Sequence, residues 1–96
     1  MLFALICTDK PGHLAVRQEN RPAHVEFLGG LGDAIKGAGP FLDDEGSPAG
    51  SLILLEADSK ADAESVASSD PYAKAGLFES VDIRPWNWLI KNPEGA

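Results

Sequence analysis

The chain has 96 residues, a formal net charge of −7 and a pI of about 4.6, and 44% of its residues are apolar. This length fits a single domain spanning residues 1–96, and the apolar content is that of a globular chain rather than a disordered one. The eight Lys and Arg residues form no basic run. Nucleic acid and anionic membranes are therefore not expected as partners, because binding to phosphates needs clustered cations.

Cysteine usage and the N-terminus together predict a cytoplasmic protein. Cys7 is the only cysteine, so no internal disulfide can form and a reducing compartment is the natural interpretation. The apolar run that starts at Met1 has no basic segment before it and stops at Thr8, which is too short for a signal peptide or a membrane span. Cys7 lies in a predicted buried strand, where a thiol behaves as a small apolar side chain.

The first half of the chain predicts a strand followed by a long helix. Residues 2–8 form a continuous apolar run, which is typical of a strand buried on both faces. Residues 12–35 predict a helix, because three apolar residues share one helical face. Pro22 is expected to kink this helix or to restart it with Arg21 near the cap. The residues of the shared apolar face are Leu28, Leu31 and Ile35.

The second half predicts two further strands, a helix and an edge strand. Asp70 precedes a proline, and this ends the helix, because a residue before proline disfavours helical geometry. Pro85 places the last strand at an edge of the sheet. The predicted ranges are 36–42 and 50–57 for the strands, 59–68 for the helix and 78–89 for the last strand, with a loosely ordered tail from about residue 91.

The element order β-α-β-β-α-β predicts an α+β, ferredoxin-like fold with an antiparallel sheet and both helices on one face. The strands predicted at residues 2–8 and 50–57 are central in this fold and apolar on both faces, so the second face of the sheet needs a partner. In a chain this short, a second copy is the simplest partner. We therefore expect a homodimer in which the sheets stack face to face.

A polar stripe continues the apolar face of the long helix toward its N-terminal end, through Arg17, Arg21 and His24. Two arginines on an inward face can bind a carboxylate or a phosphate through their planar forks. They can equally form salt bridges to neighbouring carboxylates, and the sequence does not decide between the two. The candidate carboxylates for such bridges are Glu19, Glu26 and Asp70.

His24 and Asp70 form the candidate catalytic pair, because an imidazole and a carboxylate brought together by a fold make a small acid–base unit. If Arg21-Pro22 starts a helix, the helix dipole disfavours a charged imidazole at His24. The simpler alternatives are a core histidine bonded to a backbone carbonyl and an aspartate that caps a turn. Tyr72 is either a pocket wall with a hydroxyl donor or a packing residue.

The motifs, taken together, resemble the YCII-related (YciI-like) proteins of the dimeric α/β-barrel superfamily. The resemblance implies a ferredoxin-like fold, a dimer and an active site built on a His–Asp pair, which maps to His24 and Asp70. Some members of the family are lyases or dehalogenases that act on muconate-type acids and lactones without a cofactor. The matching segments are Asp9-Lys10-Pro11, Arg17, Arg21-Pro22-Ala23-His24, Ala38-Gly39-Pro40-Phe41, Asp70-Pro71-Tyr72, Ala75-Gly76 and Arg84-Pro85-Trp86.

The functional hypothesis is a cofactor-free enzyme, of isomerase or lyase/dehalogenase type, that acts on a small anionic carboxylate or lactone. His24 is the predicted acid or base, Asp70 its orienting partner, and Arg17, Arg21 and Tyr72 the predicted substrate-binding residues. The alternative is a binding or regulatory module that uses the same pocket without turnover. No metal site is expected, because catalytic zinc needs about three protein ligands and the histidines show no ligand spacing.

Overall fold

The structure, a computed structural model, describes residues 1–95 as a four-stranded antiparallel sheet packed against helices. The strand order is β2-β3-β1-β4, and every neighbouring pair is antiparallel. The predicted α+β, ferredoxin-like fold is therefore confirmed. The elements are β1 (Leu2–Asp9), α1 (Leu14–Gly30), a 3₁₀ turn (Gly32–Ala34), β2 (Ile35–Leu42), β3 (Pro48–Glu56), α2 (Lys60–Ser69), α3 (Pro71–Lys74) and β4 (Phe78–Trp86).

The two central strands bury one face completely and the other only in part. In β1 and β3 every second side chain packs into the core, where α1 and α2 contribute Leu28, Ala63 and Ala67. The core residues of the two strands are Phe3, Leu5, Cys7, Ile53 and Leu55. The alternate side chains are half-buried and form what we call the open face of the sheet: Leu2, Ala4, Ile6, Leu52 and Leu54.

Helix α1 ends earlier than the periodicity predicts. The prediction that the helix runs to Ile35 is wrong, because α1 ends at Gly30 and Ile35 begins β2. The cause is Gly32, whose φ of +58° is in the left-handed region that glycine adopts without a steric penalty. Such a glycine just after the last turn stops a helix and turns the chain toward the next strand.

Pro22 lies inside α1, which continues through it. The prediction that the helix restarts at Pro22 is therefore wrong, and so is the argument that His24 lies near a helix N-terminus. Proline still removes one backbone donor, the N–H that would bond to the carbonyl of Gln18. His24 lies in the middle of α1, where the dipole of the helix end has little influence.

Helix α2 ends at the Asp70-Pro71 step, as the sequence predicts. Asp70 ends α2 in an extended conformation, with φ −62° and ψ 131°. Pro71 then opens the short helix α3, and the Asp70 carboxylate accepts the backbone N–H of Tyr72 at 2.9 Å. At the other end of α2, the Ser59 side chain caps the helix by accepting the N–H of Asp62.

Strand β4 lies at an edge of the sheet, as Pro85 indicates, but it stops at Trp86 rather than at Leu89. The indole rings of Trp86 and Trp88 contact each other beyond this point, with centroids 5.5 Å apart. The predicted loose tail extends to residue 96, which lies outside the described residues. Among residues 1–95 no helix has both the length and the apolar character needed to cross a membrane.

Replacing Gly50 by Ala is expected to destabilise the fold by about 1–3 kcal/mol, because an added methyl group would overlap a backbone atom. A Cβ at Gly50 would collide with the carbonyl oxygen of Cys7 on the neighbouring strand β1, and a backbone atom cannot swing aside. Thermal unfolding would measure the effect as a lower Tm. Gly29→Ala is the matched control, because a Cβ there meets nothing within 4 Å. Equal Tm values for the two variants would contradict the expectation.

Candidate active site

The His24 and Asp70 side chains meet beneath α1. The His24 Nδ1 lies 2.9 Å from both Oδ1 and Oδ2 of Asp70. The two side chains are 11% and 3% exposed, so water barely competes for this contact. The fold therefore joins an imidazole from the middle of α1 to a carboxylate from the α2–α3 junction, 46 residues further along the chain.

Asp70 has two structural roles at once. Its Oδ1 accepts the backbone N–H of Tyr72 at 2.9 Å, which caps α3, while both carboxylate oxygens face the imidazole of His24. The turn-cap interpretation and the partner interpretation therefore both apply. The cap also fixes the orientation of the carboxylate, because the residue that holds it is locked at a helix start.

The contact with Asp70 determines which nitrogen of His24 is available for chemistry. A carboxylate only accepts hydrogen bonds, so Nδ1 is the protonated nitrogen that donates to it. Within residues 1–95, every fully buried side-chain nitrogen or oxygen has a hydrogen-bond partner. Nε2 of His24 has no partner in this part of the chain, so it is accessible. His24 lines a cavity of about 330 Å³, and Nε2 therefore opens onto this cavity. In the neutral ring it carries the free lone pair.

The cavity lies between α1 and strands β2 and β3, on the helix side of the sheet. Its lining combines buried polar side chains with apolar ones. The buried residues with polar groups are Arg17, His24, Ser51 and Tyr72. The apolar residues, which we call the apolar walls, include Val25, Leu28, Ala38, Pro40, Pro48 and Ile53, and Gln18 and Arg21 complete the lining on the α1 side.

Arg17 is buried, and most of its donors already have partners. Its Nε donates to Asp9 Oδ2 at 2.7 Å and its Nη2 donates to Asp9 Oδ1 at 2.9 Å, with a third bond to Ser51 Oγ at 3.0 Å. Of the two alternatives for this arginine, the structure thus contains the salt bridge, and the partner is Asp9. Burial lowers the pKa of the Arg17 guanidinium, but the hydrogen bond and the charge of Asp9 contribute to a net rise above its ordinary value, so this group stays charged.

Asp9 and Ser51 were missed as parts of the site. Asp9 follows the inward positions of β1 in regular alternation, at the point where the pairing with β4 shifts register. One feature of the sequence could have identified Asp9: it is a charged residue at an inward position of an apolar strand, and a buried charge needs a partner. Nothing in the sequence pairs it specifically with Arg17.

Arg21 is the exposed arginine of the site. It lines the cavity one helical turn beyond Arg17, and within the described residues it forms no ion pair. Its fork of donors is therefore available to an anionic group at the cavity. The two arginines that the sequence treats alike thus differ: Arg17 is held inside the protein and Arg21 faces its opening.

Tyr72 packs against the imidazole. The two rings stack with centroids 3.9 Å apart and planes 14° from parallel, and the Arg17 guanidinium carbon lies 4.7 Å from the tyrosine ring centre. Burial raises the pKa of the Tyr72 hydroxyl, although the nearby cations Arg17 and Arg21 oppose the shift. The hydroxyl therefore stays protonated at neutral pH. Tyr72 is both a packing residue and part of the cavity lining.

Cys7 is close to this cluster but is not suited to nucleophilic chemistry. Burial raises its pKa to about 12, and the charge of Asp70 adds to the effect. A thiol that stays protonated at neutral pH is a poor nucleophile. Within residues 1–95 no three His, Cys, Asp or Glu side chains come together in a way that could hold a metal ion.

A second concavity, of about 420 Å³, lies beside Leu2 and Trp88, and the ion pair between Lys36 and Glu94 is part of its lining. It contains no imidazole or buried carboxylate. The cavity at His24 is smaller, but it is the one with a fixed acid–base pair. We therefore place the candidate active site at His24.

The fold and the site together define a class of protein: an antiparallel ferredoxin-like domain with a His–carboxylate pair beside a cavity. The chain belongs to the YCII-related domain family, whose model matches residues 1–87. It is 34% identical over 94 residues to the YciI proteins of Escherichia coli and Shigella flexneri, covering 90% of this chain and 96% of each relative. The family predicted from the motifs is thus confirmed.

One solved structure resembles this chain in both sequence and fold, and another in fold alone. The 5-chloro-2-hydroxyhydroquinone dehydrochlorinase TftG of Burkholderia phenoliruptrix, solved in complex with 2,5-dihydroxybenzoquinone, is 33% identical with a TM-score of 0.84, and the match covers 100% of both chains. A NIPSNAP family protein of Agrobacterium tumefaciens shares only the fold, at 16% identity and a TM-score of 0.58, over 96% of this chain and 95% of that one.

Proposed function

We propose that this protein is a cytoplasmic, cofactor-free enzyme of lyase/dehalogenase or isomerase type that acts on a small anionic substrate. The observation that carries the proposal is the 2.9 Å contact between His24 Nδ1 and Asp70, with Nε2 open to the cavity. A base needs a fixed tautomer and a free lone pair directed at the substrate. The contact with Asp70 provides the fixed tautomer, and Nε2 of His24 provides the free lone pair.

The cavity favours a flat, mostly apolar substrate with one anionic group. Apolar walls suit a ring or a short hydrocarbon frame. Arg21, which forms no ion pair within residues 1–95, would bind a carboxylate or an ionised hydroxyl. The protonated Tyr72 hydroxyl would donate to a substrate oxygen. The likeness to TftG, a dehydrochlorinase at 33% identity over the whole chain, supports elimination of a halide as the first reaction to test.

The proposed step is an elimination. Nε2 of His24 takes a proton from a carbon next to a carbonyl, and the electron pair of the broken bond forms a carbon–carbon double bond as the halide on the neighbouring carbon leaves with its own bonding electrons. A chlorinated hydroquinone would react as its keto tautomer, in which the chlorine is on a saturated ring carbon. There the proton comes from a ring hydroxyl, and its electron pair moves through the conjugated ring to expel the chloride. The substrate loses one proton and one halide ion, which together make one hydrogen halide, so no oxidant or reductant is consumed. Asp70 stabilises the imidazolium that forms.

Isomerisation is the same step without a leaving group. The base removes a proton next to the carbonyl and returns it to another carbon. The residues and their roles are unchanged, so the chemistry of the substrate decides which reaction follows.

The second copy predicted for the open face of the sheet belongs to the same proposal. Ile6, Leu52 and Leu54 are only half-buried there, in the two central strands. A face this apolar at the centre of a sheet favours a matching apolar surface. The cavity opens on the opposite, helix side, where Ser51 and Ile53 line it. A dimer through the open face would thus leave the cavity accessible.

The wild-type protein is expected to release chloride from a chlorinated hydroxyhydroquinone such as 5-chloro-2-hydroxyhydroquinone, or to convert a member of a panel of small carboxylates and lactones. A thermal-shift screen selects the ligands, and chloride release and absorbance spectra then measure turnover. Heat-unfolded protein is the control for spontaneous reaction. Ligands that raise Tm without being converted would contradict the enzyme proposal and favour the alternative, a binding module.

A further inference from the structure

We propose that Asp9 and Arg17 are positioning residues that hold the Tyr72 ring against His24, and that neither contacts the substrate. This proposal deepens the proposed function and rests on it for the role of His24. It assigns Arg17, which its position in the helical stripe suggested as an anion ligand, a different task. It also brings Asp9 into the site.

The first step is the state of the Arg17 fork. Two bonds to Asp9, at 2.7 and 2.9 Å, use the Nε and Nη2 edge in the bidentate geometry that arginine uses for a substrate carboxylate. Both side chains are only 6% exposed, so this is a buried ion pair. An anion could replace Asp9 only by leaving a buried carboxylate unpaired, which is strongly unfavourable.

The second step is the position of the Tyr72 ring. Arg17 and His24 lie two turns apart on α1, a rise of about 10.5 Å. The ring fills this space, with its centre 4.7 Å from the guanidinium carbon and 3.9 Å from the imidazole centre. A guanidinium against an aromatic face is attractive, and a ring held in this way cannot tilt away from the imidazole.

The third step is what the stack adds to the Asp70 contact. Asp70 holds His24 at Nδ1 alone, and a ring held at one atom can still rotate about that contact. Stacking at 14° from parallel fixes the plane of the imidazole and therefore the direction in which Nε2 points. The rate of catalysis is sensitive to the position of the reacting atom, since a displacement of about 1 Å can cost about 100-fold in rate.

Asp9 provides the cleanest test, because it does not line the cavity. In Asp9→Asn the stack should loosen, so the carbon-bound ring protons of His24 should lose part of the upfield shift caused by the Tyr72 ring. With any substrate the protein turns over, kcat should fall about 100-fold while KM stays unchanged. The half-buried His13 is an internal reference in the same spectra, and Asp44→Asn makes the same change on an exposed loop.

Arg17→Lys is the second variant, and it is measured in the same way in case Asp9→Asn does not fold. It keeps the charge but loses the fork, so the positioning role predicts a shifted His24 signal and a lower kcat. Wild-type His24 signals in both variants, or a raised KM with an unchanged kcat in Arg17→Lys, would overturn the proposal. The spectra need no substrate, so a failure to find turnover leaves this test intact.

Discussion

Removing the imidazole of His24 or the charge of Asp70 is expected to lower kcat/KM by about 10²- to 10⁴-fold, the range that a positioned acid–base group contributes. His24→Ala removes the base itself. Asp70→Asn keeps the shape of the side chain but offers an amide in place of a carboxylate. If the amide N–H₂ faces Nδ1, the proton of the neutral ring moves to Nε2, and the lone pair no longer points into the cavity.

The double variant separates a working pair from two independent residues. Groups that act as a unit are strongly non-additive, so His24→Ala combined with Asp70→Asn should cost no more than the worse single change. If the fold-loss in kcat/KM of the double variant equals the product of the two single losses, Asp70 acts on the substrate by a route that does not involve His24. The measurement is kcat/KM for all four proteins on one substrate.

Controls for folding follow from the second role of Asp70. Asparagine can still accept the Tyr72 N–H and cap α3, so Asp70→Asn should unfold near the wild-type Tm, whereas Asp70→Ala should lose about 1 kcal/mol with the cap. His13→Ala is the matched histidine control, because within residues 1–95 the His13 ring forms a single hydrogen bond, with the carbonyl of Pro11. Wild-type turnover in His24→Ala would remove the pair from the mechanism. Retained ligand binding without turnover would support it.

The parts of the fold that sequence predicts well are those set by local chemistry. The continuous apolar runs of β1 and β3 predict strands with two apolar faces, and the Asp70-Pro71 step ends α2 because proline disfavours helical geometry at the residue before it. Element order then gives the topology. The family motifs place His24 and Asp70 in one site, and the structure brings them to 2.9 Å.

The parts that sequence does not predict depend on tertiary contacts. Pro22 is compatible with α1 because one missing hydrogen bond is a local cost, and packing of the helix against the core through residues such as Leu28 offsets it. The choice of Asp9 as the partner of Arg17 needs the end of β1 to lie beside the first turns of α1. Helical spacing alone offers several carboxylates and cannot rank them.

Leu52→Glu is expected to convert the protein from a dimer to a monomer, which would halve the mass in solution to 10.1 kDa. Leu52 pairs with Ile6 and Gly39 at the centre of the open face of the sheet. A carboxylate buried there between two copies would lack a partner, and the cost of removing it from water exceeds what the surrounding contacts return. In the single chain the same side chain is only half-buried, so the fold should tolerate the change.

Light scattering after gel filtration at micromolar concentration measures this mass. Ala61→Glu is the matched control, because it adds the same charge at an exposed position of α2 and should leave the dimer intact. A monomeric wild-type protein would contradict the dimer itself, and a dimeric Leu52→Glu would place the interface elsewhere. Because Leu52 faces away from the cavity that Ser51 and Ile53 line, a monomeric variant with an intact His24 signal would separate assembly from the geometry of the site.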